Sequence, residues 1–156
     1  MDPLEATALL AYYQTAALSN DDPFDIPHAR IFTITSDGEV KVMITAGDVY
    51  LGLQVLPAAY EKIGNDPVIG VETVGWAAPV GSPTDHCVPA DHPQRRRVRL
   101  IAVVNRDQEV ASALAFRDDN DNVNTNAFSE GSLAAALKDC MDRVLLLQSL
   151  QPKSED

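Results

Sequence analysis

Apolar and polar positions along this chain change their period several times, and each change marks an element. Leu4 to Leu18 contains no helix breaker. Asp2, Pro3 and Glu5 at its start supply an N-cap, a first-turn proline and a capping-box acid, which predicts a first helix. Ser19 to Pro27, acidic and holding two prolines, reads as a linker inside the domain. Arg30 to Thr35 and Val40 to Thr45 are β-rich runs around Ser36-Asp37-Gly38-Glu39, and the Asp-Gly pair predicts a hairpin with a two-residue turn. That turn sets Thr35 opposite Val40, Thr33 opposite Val42 and Ile31 opposite Ile44, with Phe32, Ile34, Lys41 and Met43 on the other face. Both faces are mostly apolar, so the sheet is expected to be covered on both sides, by helices or by a partner.

From Gly47 to Gly64, the residues Val49, Leu53, Leu56, Tyr60 and Ile63 follow helical spacing, although Pro57 breaks the ladder and VYLGLQV also fits a strand. Val68 to Ala78, valine-rich and bounded by Pro67 and Pro79, predicts a central strand. Trp76 within it and Tyr60 read as core residues. A polar loop, Gly81 to Gln94, follows. Arg97 to Val104 and Val110 to Arg117 form a second hairpin, with Val104 opposite Val110, Leu100 opposite Leu114 and Val98 opposite Phe116. The reverse face carries Arg97, Arg99, Arg117 and three alanines. Asp118 to Asn126 reads as a polar loop. Ser132 then caps a last helix whose core stripe is Leu133, Leu137, Cys140, Val144 and Leu147, with Asp139 to Arg143 and Lys138 to Asp142 as ion pairs on its wet side.

The expected architecture is a single α+β domain over residues 1–150, with a frayed tail at 151–156. Its five-stranded, mainly antiparallel sheet is built from two hairpins and a central strand, with about three helices packed on it. This element order is similar to the roadblock and profilin-like folds, which implies a dimeric adaptor. More locally, GWAAP (Gly75 to Pro79), HPQRRRVRL (His92 to Leu100) and SALAFRDD (Ser112 to Asp119) resemble a group of uncharacterised small proteins of high-GC Gram-positive bacteria and their phages. That resemblance covers about the last half of the chain and implies no activity.

Composition sharpens the functional classes. An apolar content of 46% with 22% charged residues is ordinary for a folded domain. The acidic start and the lack of a long apolar run predict a cytoplasmic protein with no membrane segment, and Cys87 and Cys140 are expected to be two reduced thiols. A net charge of −11 argues against nucleic acid as a partner. Against that background Arg95, Arg96, Arg97 and Arg99 stand together. Alternate strand residues share a face, so Arg95, Arg97 and Arg99 are the candidate interaction site for an acidic or phosphorylated partner. The plainer reading pairs these arginines with the chain's own Asp118 and Asp119.

The loop with Asp85, His86, Cys87, Asp91 and His92 carries ligand-capable side chains, and His86, Cys87, Asp91 and His92 form the candidate metal set. Its spacing matches no zinc signature, and a solvated loop is the plainer reading. Cys87 beside His86 also invites a thiol-nucleophile reading, without a surrounding motif to support it. Asp119, Asp121 and Glu130 fit three places of a calcium loop, but Val123 and Asn124 break the pattern. No Walker loop, GxGxxG or nucleophile elbow is present. The leading expectation is therefore a small non-catalytic interaction or accessory protein that needs no cofactor and meets a protein partner or a second copy of itself. A metal-dependent hydrolase or nuclease using the His86 and His92 loop is the alternative. An acidic DNA mimic, resting on the charge alone, is a third.

Overall fold

A computed structural model describes residues 1–19, 22–77 and 94–151. The helices are α1 (Pro3–Ala17), α2 (Val49–Val55), α3 (Tyr60–Ile63) and α4 (Ser132–Leu150), and the strands are β1 (Ala29–Ile34), β2 (Val40–Ala46), β3 (Val68–Ala77), β4 (Arg96–Asn105), β5 (Val110–Phe116) and β6 (Asp119–Phe128). All strands join one antiparallel sheet in the order β2-β1-β3-β4-β5-β6. The domain is α+β as expected, but the sheet has six strands rather than five.

The added strand is β6, expected to be a polar loop. Asn and Asp disfavour strands only weakly, and β5 would otherwise present an unpaired edge whose N–H and C=O groups seek partners. A two-residue turn at Arg117-Asp118 brings Asp119 opposite Phe116; after a break in register, pairing resumes at Asn124 opposite Leu114 and runs to Phe128 opposite Val110. Because β6 is an edge, its Asp and Asn side chains stay in water while Val123 packs inward.

Helix α1 begins as its residues dictate: Asp2 accepts from Glu5 N at 2.8 Å and Glu5 accepts from Asp2 N at 2.9 Å. It lies across β4, β5 and β6. Its buried stripe of Ala8, Ala11, Tyr12 and Thr15 meets Ala111, Ala113 and Ala115, and the small side chains on both sides permit a close approach. The opposite face holds α2, α3 and α4 over Ile31, Leu53, Leu56, Ile69, Val71, Leu137 and Met141. Helices thus cover both faces, which explains why both faces of the first hairpin are apolar.

Local expectations shift where turns decide them. Thr35 pairs with Glu39, and Gly38 takes φ 83°, so the first turn holds three residues rather than two. Each partner therefore moves by one: Val40 faces Ile34, Lys41 faces Thr33 and Val42 faces Phe32. A bulge between Ile31 and Phe32 absorbs the extra residue, so Ile31 still faces Ile44. The second hairpin has the expected register throughout. The segment after Gly47 is helical, as α2 and α3 separated by a 3-10 turn at Leu56–Ala59 that contains Pro57.

Ser132 is not the cap of α4. Gly131 takes that place at φ 104°, and the Ser132 hydroxyl instead meets the Tyr50 hydroxyl at 2.9 Å. Of the two expected ion pairs, Arg143 and Asp139 meet at 2.9 Å. Lys138 instead donates to Ser129 O, and Asp142 accepts from Gln108.

Gly70 lies under the Phe32 ring, and a Cβ there would stand 2.5 Å from Phe32 Cε2. Phe32 is fully buried and has nowhere to move. Gly70→Ala is expected to cost about 1 to 3 kcal/mol by overpacking, read as a lowered urea midpoint with an unchanged slope.

Cys140 is free and buried in the α4 stripe. Burial pushes its thiol up to about 12, assisted by the Asp139 charge. The neutral thiol is favoured in the folded chain, so its contribution to stability is complete below the ordinary thiol value. It is lost as the pH rises toward 12. Iodoacetamide at pH 8 should leave Cys140 unmodified in the native protein and alkylate it in urea, as read by peptide mapping. Equal labelling in both states would place this thiol at the surface.

Candidate interaction surface

The arginines of β4 separate by strand parity. Arg99 and Arg97 point toward α1, while Arg96 points to the other face. Arg99 is fully buried. Its Nε and Nη2 donate to Glu72 Oε2 at 3.2 and 2.5 Å, its Nη1 donates to Tyr12 O at 3.0 Å, and its Nη2 also reaches the Thr15 hydroxyl. The guanidinium stacks 4.4 Å from the centre of the Tyr12 ring. Burial raises the Tyr12 phenol above its ordinary value, with Arg99 opposing the shift.

Glu72, from β3, is fully buried as well. Its second oxygen lies 3.0 Å from Arg30 Nη1, an ion contact without aligned hydrogen-bond geometry. Arg30 also donates to Thr15 O at 3.2 Å and to the Ser19 hydroxyl at 3.0 Å. Two guanidiniums thus share one carboxylate under the end of α1. That end has no basic residue of its own, and its carbonyls carry partial negative charge. The sheet therefore supplies the cations that the helix terminus lacks. This assembly locks α1 to the sheet, and Arg99 has no exposed surface to offer a partner. A lone acid inside the apolar run VIGVETVGWA was the sequence signal for Glu72, since a buried charge needs a facing partner.

Arg97 donates to Phe24 O at 2.8 Å and lies 3.4 Å from Asp25. Arg95 and Arg97 both stack against Trp76, at 4.8 and 4.9 Å. Trp76, expected in the core, stands 37% exposed near the end of β3. It packs there against the two guanidiniums. Arg117 pairs with Asp22 and Asp25, which ties the linker after α1 to the second hairpin.

Asp118 is a partner as expected, but of Arg96, which holds it through Nε at 2.9 Å and Nη2 at 2.5 Å. This hydrogen bond lowers the Asp118 carboxyl below its ordinary value. Asp119 instead accepts from Asn122. Since Arg96 and Asp118 are solvated, Asp118→Asn is expected to leave the melting temperature at pH 7 unchanged within error, checked by calorimetry.

His86, Cys87, Asp91 and His92 lie outside the described residues. Among the described residues no group of three or more His, Cys, Asp or Glu is placed to hold a metal ion. None of the described helices is long and apolar enough to cross a membrane.

The outer side of α1 is the feature the sequence reading passed over. Ala6, Leu10, Tyr13 and Ala17 recur at intervals of four, three and four, and all four are exposed. Leu10 and Tyr13 are 50% and 56% exposed, and Leu18 beyond them is 51% exposed. Glu5 is the only charged residue in the helix. Beside this stripe a cleft of about 200 Å³ opens between α1 and the first hairpin, lined by Leu10, Ile34, Val40 and Val68 together with the polar Thr7, Gln14, Thr35 and Ser36. No protein-family model, curated protein or solved structure matches this chain.

Proposed function

We propose that this protein is a non-catalytic interaction module of the cytoplasm that docks an amphipathic helix of a partner protein along the outer side of α1. The observation that carries this reading is the exposed stripe Ala6, Leu10, Tyr13 and Ala17, adjoining a cleft of mixed polar and apolar lining. Spacing of three and four residues is the geometry with which helices pack side by side. The cleft beside Leu10 takes one large apolar side chain of the visitor as an anchor. With a net charge of −11 around it, the surface selects a partner helix with basic flanks. The two locks beneath, Arg99 with Glu72 and Arg30 with Thr15, hold α1 rigid so that docking does not have to order it.

The test is site-specific photo-crosslinking in the producing cell from Tyr13, with a second probe at Lys138 on the far face. A single crosslinked protein from position 13, absent from position 138 and lost in Leu10→Glu, is the expected result. Crosslinks of equal pattern from both positions would reject the α1 surface. The Leu10→Glu protein should keep its melting temperature, because Leu10 is half exposed.

A further inference from the structure

We infer that the chain pairs with a second copy of itself through the outer edge of β2, which no other strand pairs among the described residues, antiparallel and centred on Val42, so that two sheets become one continuous sheet. The two edges of this sheet are built differently. β6 is guarded in the usual way by acids and asparagines: Asp119, Asn120, Asp121, Asn122, Asn124 and Asn126. β2 reads Val40-Lys41-Val42-Met43-Ile44-Thr45-Ala46, strongly β-forming, without proline and with Lys41 as its one charge. That charge is drawn back over the sheet, where Lys41 Nζ meets Asp66 at 2.8 Å and donates to Lys62 O at 3.0 Å. It does not guard the edge.

The backbone shows which groups face out. Val40 N–H is taken by the side chain of Gln14 at 2.9 Å, so Val40 turns its amide away from β1. In an antiparallel ladder this orientation recurs at every second residue, and Val42 also directs its N–H and C=O outward. No turn or loop bond takes them among the described residues. Two copies related by a two-fold axis at Val42 exchange both of these bonds. The bulge lies beyond Val42 and leaves that pair intact.

Charge identifies the occupant. Strongly acidic copies repel wherever their surfaces carry the average charge, and they can meet only on a neutral patch. Between Val40 and Tyr60 only Lys41 and Asp48 are charged, and they cancel. The exposed apolar side chains in this span are Val42 at 40% on β2 and, on α2, which contacts β1 and β2, Leu51 at 52% and Val55 at 48%. A partner strand of opposite charge would gain nothing from such a surface, whereas an identical one is complementary to it by symmetry. Pairing about Val42 sets residues 40–44 of one copy against residues 40–44 of the other, five strand residues that span ~17 Å. With the adjoining helix side, the contact is roughly 500 Å² per copy, the size of a reversible rather than a permanent interface. This pairing leaves the outer side of α1 open and does not depend on the role given to it above.

Sedimentation velocity from about 1 to about 200 µM, the range in which an interface of this size populates, should show a monomer converting to a dimer. Val42→Glu and Val42→Lys are each expected to stay monomeric at every concentration with unchanged circular dichroism. Mixing the two should restore a dimer at low salt, because opposite charges then face each other across the axis. Leu10→Glu should dimerise like the parent chain. A parent chain that stays monomeric throughout would overturn the pairing, as would a dimer that survives both Val42 variants. A dimer lost in Leu10→Glu but kept in Val42→Glu would move the contact to α1 and overturn it equally. Failure of the mixed pair to associate, with both variants folded, would reject the register centred on Val42.

Discussion

Replacing Arg99 with methionine is expected to destabilise the chain by about 3 to 5 kcal/mol, the cost of leaving a buried charge without its partner. Glu72 is fully enclosed, and losing the guanidinium leaves it only the Arg30 contact, which is not aligned as a hydrogen bond. Tyr12 O and the Thr15 hydroxyl lose their donor in the same step, so the last turns of α1 come loose from the sheet. Urea titration followed by circular dichroism measures the loss. The combined Arg99→Met and Glu72→Gln variant should recover most of it, because both halves of the charge pair are then gone. Equal loss in the single and double variants would mean that Arg99 acts by its volume rather than its charge.

Leu137→Ala is expected to cost about 2 to 5 kcal/mol, as lost burial plus the cavity left behind. Leu137 sits at the centre of the α4 stripe, fully buried among Cys140, Met141, Val144 and the residues of α2 and β3 that α4 covers. The neighbours belong to three different elements, which limits their collapse into the gap. Leu146 is 56% exposed on the same helix, and Leu146→Ala serves as the control with little expected change. Equal midpoints for the two variants would place the core on the wrong side of α4.

The regular elements were legible because each was written in local chemistry. Asp2, Pro3 and Glu5 announced α1, and the second hairpin's register followed from Val98, Leu100 and Val104 facing Phe116, Leu114 and Val110. Position within a fold was not legible in the same way. β6 carries residues that seldom start a strand by themselves, and it forms because β5 presents an open edge beside it. The first hairpin kept its strands but moved its register, since a turn closed by Gly38 at positive φ holds one residue more than the Asp-Gly pair suggested.

The candidate site followed the same division. Sequence alone determined that four arginines cluster before and within β4 and that alternate ones share a face, because strand parity is a property of the backbone. Along α1 only Glu5 is charged, and such a composition leaves open which side meets the sheet. Only the tertiary structure decided that Arg99 points under a helix onto Glu72, that Arg96 rather than Arg97 holds Asp118, and that Ala6, Leu10, Tyr13 and Ala17 face water. The physical reason is that charge pairing and burial depend on which elements come to lie against each other. In this chain that is set by contacts between residues as far apart as Thr15 and Arg99, which no local period records.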